Sequence, residues 1–497
     1  MVAIIPSELT QITLLLLLFL FFTVIYQPTF ALTSNKELAK GFTATVDSSV
    51  KLFQPLLSDS VGNYSFGFIR VDQTQLAVGV VHVPSNEPVW VAGKSYLTRW
   101  SERTSLLFNG SLVIFDKHGG VLWSSNTDGD RVRVLGTSNL VIEKVGESKD
   151  DDVILWQSFD FPYNTLMENQ NFTSEMTLVS SNGLYSMKLG PDFIGFYAKF
   201  DPDSNPGHLY FRHNPLEAKA SVMKGQGPIR VVLTSDGFLG MYQNGSTPVD
   251  VQPFSSFQQR GTGNRLVRLE PDGNLVGYYW TRSSWVVDFK QISDVCELPS
   301  SCGPYGLCQP GKGCSCLDNK TSYSSGKCDI GEIKVSSNDF CQTKYKVMRK
   351  TGVELPNKEI LDYIITSSLE KCESACEQNC TCWGVVYSNT SRFCYTIDYP
   401  IQTIVEVLDE SKLGYFKVRY SPKNDKKVVG LWVGLGLLCG LVLLLLVVRG
   451  LFLYKRENRG VKGYVEEDGV NSGVGPYKNL GSSSFKSIEL SERWRKQ

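Results

Sequence analysis

Twelve of the thirteen cysteines fall between Cys296 and Cys394, and the thirteenth, Cys439, stands alone in a long apolar run. Cysteine at this density does one of two things: it ligates zinc as thiolate or it forms disulfides. Zinc would draw on histidine, but the four histidines, His82, His118, His208 and His213, all lie well before the cysteines. The first cluster, Cys296, Cys302, Cys308, Cys314, Cys316 and Cys328, sets six thiols in a stretch too short to bury a core without staples. The second, Cys341, Cys372, Cys376, Cys380, Cys382 and Cys394, is also even in number. Both clusters read as disulfide modules made in an oxidising, secretory compartment. Six cysteines allow fifteen connectivities, and spacing alone does not choose among them. No Gly-x-Ser-x-Gly elbow, His-Glu-x-x-His helix or phosphate-binding glycine loop occurs. Neither a metal, a cofactor nor an enzymatic activity is expected.

An apolar segment at 428–448 carries no charge over 21 residues, the length a helix needs to cross a hydrocarbon core of about 30 Å. Lys423, Lys426 and Lys427 precede it, and Arg449, Lys455, Arg456, Arg459 and Lys462 follow. The basic excess on the C-terminal side makes that side cytoplasmic. All seven Asn-x-Ser/Thr sequons, at Asn63, Asn109, Asn171, Asn244, Asn319, Asn379 and Asn389, lie before the span, which agrees with an outer N-terminal part. Residues 1–31 hold an apolar run ending near Ala31 and read as a cleaved signal peptide, with an uncleaved anchor as the alternative. In the span, Gly430 and Gly434, then Gly436 and Gly440, form two small-xxx-small pairs that would let a second helix approach.

The elements that must position these groups are strands. The chain has 497 residues and no net charge, so it holds several domains and no electrostatic footprint for nucleic acid. It is rich in Gly, Phe and Tyr, with 44, 26 and 22 copies, as suits short strands joined by tight turns. One turn-strand unit recurs at 109–115, 138–142, 236–242 and 272–278, the last as Asp272-Gly-Asn-Leu-Val. Asp-Gly makes the turn and the alternation after it makes a half-buried strand. The fold class expected is mainly β, with two tandem prisms, then the cysteine modules and one membrane helix.

Leu155-Trp-Gln-Ser-Phe-Asp-Phe-Pro-Tyr-Asn-Thr-Leu166 and Val89-Trp-Val-Ala92 resemble segments of the bulb-type (G-type) lectin domains of plant S-locus glycoproteins and S-domain receptor kinases. Arg268-Leu-Glu-Pro-Asp-Gly-Asn-Leu-Val-Gly-Tyr-Tyr-Trp280 resembles the S-locus domain that follows them. The resemblance implies a first lectin domain at 40–170, a second lectin-like or S-locus glycoprotein domain at 171–291, an EGF-like module at 292–329 and a PAN (apple-like) domain at 341–418. The membrane helix at 428–448 and a tail at 449–497, disordered by composition, complete the order.

Mannose binding in this family uses Gln-x-Asp-x-Asn-x-Val-x-Tyr, whose alternate residues would share one strand face. Its copies here read Leu107, Asn109, Ser111, Val113, Phe115, then Leu135, Thr137, Asn139, Val141, Glu143. Only Glu270, Asp272, Asn274, Val276 and Tyr278 come close, with an acceptor-only carboxylate in place of the Gln amide. The same residues also serve simply to build a turn and a strand. The EGF-like pattern implies Cys296–Cys308, Cys302–Cys314 and Cys316–Cys328. Asp294 alone does not make a calcium ligand set. The PAN pattern implies Cys372–Cys394 and Cys376–Cys382, leaving Cys341 for Cys380. Within it, Ser367 and Glu370 form a capping box opening a helix at 369–378, with Cys372 and Cys376 on one face.

Receptor kinases of this family carry their enzyme after the span, where this sequence has 49 residues and no kinase motif. The resemblance therefore implies a plasma-membrane, single-pass type I receptor-like glycoprotein without a kinase. It would bind an extracellular glycan or peptide ligand, or a co-receptor, and signal through a partner kinase as homodimer or heterodimer. A mannose-type lectin and a decoy of S-domain receptor kinases stand as the alternatives. Tyr464, Tyr477 and Ser482 to Ser484 are tail residues open to sorting or phosphorylation.

Overall fold

The computed structural model describes residues 35–71, 75–93, 98–99, 104–116, 118–148, 151–200, 207–215, 229–258, 264–318, 320–328, 330, 340–341, 344–419 and 426–457. The leader expected at 1–31 and the tail after 457 lie outside the described residues. The chain divides into two units, Met1–Ser421 and Pro422–Gln497.

In the first unit, three antiparallel sheets make the first prism. One is built from Phe53–Ser58, Tyr64–Arg70, Gln75–His82 and Glu87–Val91, with the two residues Thr98–Arg99 also paired to it. A second comprises Phe42–Thr45, Ser105–Phe108, Leu112–Phe115 and Val121–Ser124, and a third Leu38–Ala39, Arg131–Val134, Leu140–Lys144 and Val153–Gln157. Alternation sorts the faces: in Arg131–Val134 the two valines are buried and the two arginines half-exposed. Leu57, Phe66, Phe68, Leu106, Phe108, Val132 and Leu140 fill the space between the sheets and are fully buried.

The second prism repeats the plan. Its sheets are Thr165–Met167 with Arg265–Leu269, Leu275–Trp280 and Trp285–Lys290; Asn171–Phe172 with Arg230–Leu233, Phe238–Tyr242 and Pro248–Pro253; and Leu178–Val179 with Tyr185–Leu189, Ile194–Ala198 and His208–His213. Thr165–Met167, expected in the first module, pairs instead with Arg265–Leu269 of the second. The prisms are joined by side chains: Arg268 reaches Glu87 at 2.5 Å, Trp285 Nε1 donates to Ser85 Oγ at 3.0 Å, and Asn264 Nδ2 donates to the Tyr64 hydroxyl at 2.8 Å.

His82 sits in that junction, its ring 4.7 Å from Trp280 and 5.1 Å from Trp285. Burial lowers its pKa to about 4. Burial does the same to His208, also to about 4, against a weaker opposing effect of Asp398; its ring lies 3.8 Å from that of Tyr399 in the PAN region. An unfolded histidine takes its proton near pH 6.5. Both groups therefore contribute stability that is fully present above about pH 6.5 and is lost as pH falls toward 4, on the order of 1 kcal/mol per pH unit for each. The melting temperature of the full-length protein should drop over that interval, and less so in His82→Phe with His208→Phe. An equal drop in wild type and double variant would contradict this.

The two cysteine modules are welded rather than strung. The hairpin Gly306–Gln309 and Gly313–Cys316 of the first cysteine cluster extends into a four-stranded sheet, because Gly306–Gln309 pairs in parallel with Ile404–Glu406 of the PAN region. Tyr305 and Leu307 share one core with Trp383 and Phe416, and the Tyr305 hydroxyl donates to the Lys417 carbonyl at 2.9 Å. The PAN region is a five-stranded sheet of Tyr345–Thr351, Lys412–Arg419, Gly384–Ser388, Phe393–Ile397 and Ile364–Ile365, crossed by the helix Leu369–Gln378. Its N-cap is Ser368, one residue later than the capping-box reading placed it. The disulfides present are Cys296–Cys308, Cys302–Cys314, Cys316–Cys328, Cys341–Cys380, Cys372–Cys394 and Cys376–Cys382.

Among the described residues, the second unit holds one helix, Lys426–Glu457. Among the described residues, Gly436–Lys455 is the one stretch long and apolar enough to cross a membrane, 20 residues with mean hydropathy 2.6 and none buried. It ends later than the expected 428–448 because Leu451, Phe452, Leu453 and Tyr454 prolong the apolar run past Arg449.

Candidate functional site

The inherited sugar-binding row does not form one open face. Glu270 to Asn274 make a turn, closed by the Glu270 amide donating to the Asn274 carbonyl at 2.8 Å, and the strand begins only at Leu275. Asp272 spends one carboxylate oxygen on the Asn274 amide at 2.9 Å. Asn274 is 4% exposed. Its Nδ2 donates to the Ile292 carbonyl at 2.7 Å and its Oδ1 accepts from the Ile292 amide at 3.0 Å. The Asn274 side chain thus completes the backbone bonding of a neighbouring segment, where a missing partner would leave buried groups unpaired. The Tyr278 hydroxyl donates to Glu270 at 2.7 Å; burial first, then that carboxylate, pushes the phenol pKa up. Gly273 has φ +90, and a Cβ there would stand 2.9 Å from the Tyr210 hydroxyl, so the turn takes glycine on both counts.

The other two copies are absorbed in the same way. Asn139 is buried, with Nδ2 donating to Gln157 at 2.8 Å and Oδ1 accepting from Ser158 and Phe159 at 3.2 Å. Glu143, where the family pattern has tyrosine, receives Arg131 Nε at 2.7 Å and Arg133 at 3.0 Å. Asn109 folds back on the Ser111 amide at 3.2 Å, and Ser111 bonds to Thr127. Leu107 and Leu135 bring neither donor nor acceptor to replace them, and Thr137 brings a single hydroxyl.

A different surface keeps open space. Trp90, Trp123 and Trp156 recur every 33 residues, one from each sheet of the first prism. They meet edge to face with centroids 5.8 to 6.3 Å apart, the arrangement that ring quadrupoles favour. Phe161, more than half exposed, stacks on Trp156 at 5.6 Å and 10°. The Trp90 indole N–H donates to the Phe161 carbonyl at 2.8 Å, which fixes that connector. Together with Asp160, Tyr163 and Glu175 these rings line a cleft of about 350 Å³. Among the described residues, Asp160 and Glu175 are the charged ones on its lining. Its signal in the sequence was the even spacing of the three tryptophans, each after an aliphatic residue, which motif reading passed over in favour of the sugar pattern.

Of the seven sequons, Asn63, Asn109, Asn171, Asn244, Asn379 and Asn389 are exposed, and Asn319 lies outside the described residues. Asp294, weighed as a calcium ligand, instead accepts from the Cys296 amide at 2.9 Å and caps a short 3-10 turn.

Comparison with known proteins follows the same order of modules. The D-mannose binding lectin family matches residues 88–188, the S-locus glycoprotein domain 240–321 and the PAN domain 341–419. A PAN domain-containing protein of Arabidopsis thaliana is 48% identical over 98% of this chain and 99% of its own length. The chain belongs to the plant S-domain lectin family. A G-type lectin S-receptor-like serine/threonine-protein kinase of the same plant is 26% identical over 70% of this chain, and the match spans 45% of that kinase. Among solved structures, a two-domain fetuin-binding lectin of Scilla campanulata aligns at 15% identity and TM-score 0.19, over 52% of this chain and 94% of its own. This S-domain protein thus carries lectin, S-locus and PAN modules, none of them catalytic, with one helix fit to anchor them in a membrane.

Proposed function

We propose that this protein is a single-pass type I receptor-like glycoprotein of the plasma membrane. It presents the two prisms and the fused EGF–PAN unit outside the cell, reads an extracellular ligand or co-receptor there, and acts through partner receptor kinases. One observation carries the reading. The match to the PAN domain-containing relative runs through 99% of that protein, whereas the match to the G-type lectin receptor kinase covers 45% of the kinase. The modules matched in this chain are lectin, S-locus glycoprotein and PAN domains, none of them catalytic. Six exposed sequons and the basic residues after the apolar helix support the orientation.

Proximity labelling from a tag after Gln497, in plant cells, tests this. Receptor kinases with S-domain ectodomains should dominate the labelled membrane proteins. A labelled set without receptor kinases would remove the mechanism.

A further inference from the structure

We infer that the cleft walled by Trp123, Trp156 and Phe161 and rimmed by Asp160 and Glu175 binds a neutral hexopyranose residue of an extracellular glycan. The inference rests on the ligand-reading half of the proposed function and not on the partner kinase. Its volume, about 350 Å³, lies at the small end of the range in which such sites hold ligands, about 300–1,000 Å³.

The chemistry narrows the occupant. A pyranose ring has one apolar C–H face and a rim of hydroxyls that both donate and accept. The aromatic wall suits the face, since Phe161 is exposed beside half-buried Trp123. The rim supplies acceptors in the Asp160 and Glu175 carboxylates. It supplies donors in the indole N–H groups of Trp123 and Trp156, neither of which has a hydrogen-bond partner among the described residues. Two carboxylates, with no lysine, arginine or histidine among the described lining residues, disfavour an acidic sugar or a phosphate. A cationic side chain would use the acceptors but leave both indole donors unmatched, so a polyol fits the set better.

The walls are also held in place before any ligand arrives, which lowers the ordering cost of binding. Trp90 ties down the Phe161 carbonyl. Gln157 Nε2 donates to Asp160 at 2.9 Å, and the Asn126 amide donates to Ser124 Oγ at 3.1 Å with Asn126 in a left-handed conformation, φ 52. Glu175 belongs to the second prism, beyond the strand pairings of the first, so an occupied cleft would bridge the two modules.

The test is titration of the full-length protein in lipid nanodiscs with neutral oligosaccharides of mannose, glucose and N-acetylglucosamine, read by tryptophan fluorescence and by saturation-transfer NMR. Wild type should bind at least one of them with a change in indole emission. Phe161→Ser and Asp160→Asn should each weaken that binding about tenfold or more, the loss expected for a charge-assisted bond or a stacked ring. Both side chains are exposed, so the melting temperature should fall only slightly, and a variant that stays folded at the assay temperature separates lost binding from lost fold. Binding that survives both substitutions, no binding of any neutral sugar, or binding of acidic sugars or cationic peptides alone would each overturn the inference. None of those results would alter the outcome of the labelling experiment.

Discussion

Asn274→Ala should lower the stability of the protein by about 2–4 kcal/mol, because it strips the Ile292 amide and carbonyl of their buried partners. The side chain is 4% exposed and bridges the turn at Asp272 to the chain leaving the last strand of the second prism. A residue kept to touch a sugar would behave otherwise: its removal would abolish binding and leave the melting point alone. Chemical unfolding of wild type and variant measures this directly. A shift below about 0.5 kcal/mol, the scale of an ordinary surface change, would return Asn274 to the sugar-binding row. Tyr278→Phe should be milder, since the bond to Glu270 that it loses is half-exposed.

The second large effect concerns the PAN helix. Cys372 and Cys376 are fully buried on one face of Leu369–Gln378 and are tied to Cys394 and Cys382. Cys372→Ser with Cys394→Ser opens a loop with a sequence separation of 22 residues, a loss of about 3 kcal/mol from the unfolded-state constraint. Two buried hydroxyls replacing the sulfurs add a desolvation cost of about 1–3 kcal/mol each. Together these match or exceed the margin by which many domains stay folded. The double variant should be retained before the cell surface and digested rapidly by protease in the region 341–419. Normal surface delivery and wild-type protease resistance would show that the sheet holds the helix without the staple.

Both effects bear on how far the sequence could be read. The strands were legible because tight-turn dipeptides and alternation are local signals: Asp272-Gly273 and the run after it predict a hairpin whatever lies opposite. The order of modules was legible because cysteine spacing and the Trp-Gln-Ser-Phe segment are also local. What escaped was contact between distant segments. Nothing near Asn274 announces Ile292 as its partner. Nothing near Leu307 announces the parallel pairing with Ile404 that joins the hairpin of the first cysteine cluster to a strand of the PAN region. Lys417 reads as an ordinary strand lysine, yet it is 1% exposed, donates to the Cys376 carbonyl at 2.9 Å and faces the rings of Phe340 and Tyr345 at 5.1 Å. Burial pulls its pKa down.

The closed geometry of the sugar row was hidden for a related reason. The family pattern fixes residue types along one segment, while access depends on what packs over it. Here the second prism supplies Tyr210 and the first cysteine cluster supplies Pro299, both of which a Cβ at Gly273 would meet, and the first prism supplies Glu87, which engages the neighbouring Arg268. The tryptophan cleft stayed hidden for the opposite reason. Its three rings come from three sheets, and only closure of the prism brings them within 6.3 Å of one another.

Partnership with a kinase is tested by purification of the tagged full-length protein from detergent-solubilised plant membranes, with quantification of every co-purifying kinase. An S-domain receptor kinase should be enriched well above a control single-pass protein, and lost in the Cys372→Ser, Cys394→Ser variant. Recovery of the protein with no kinase above control would contradict it.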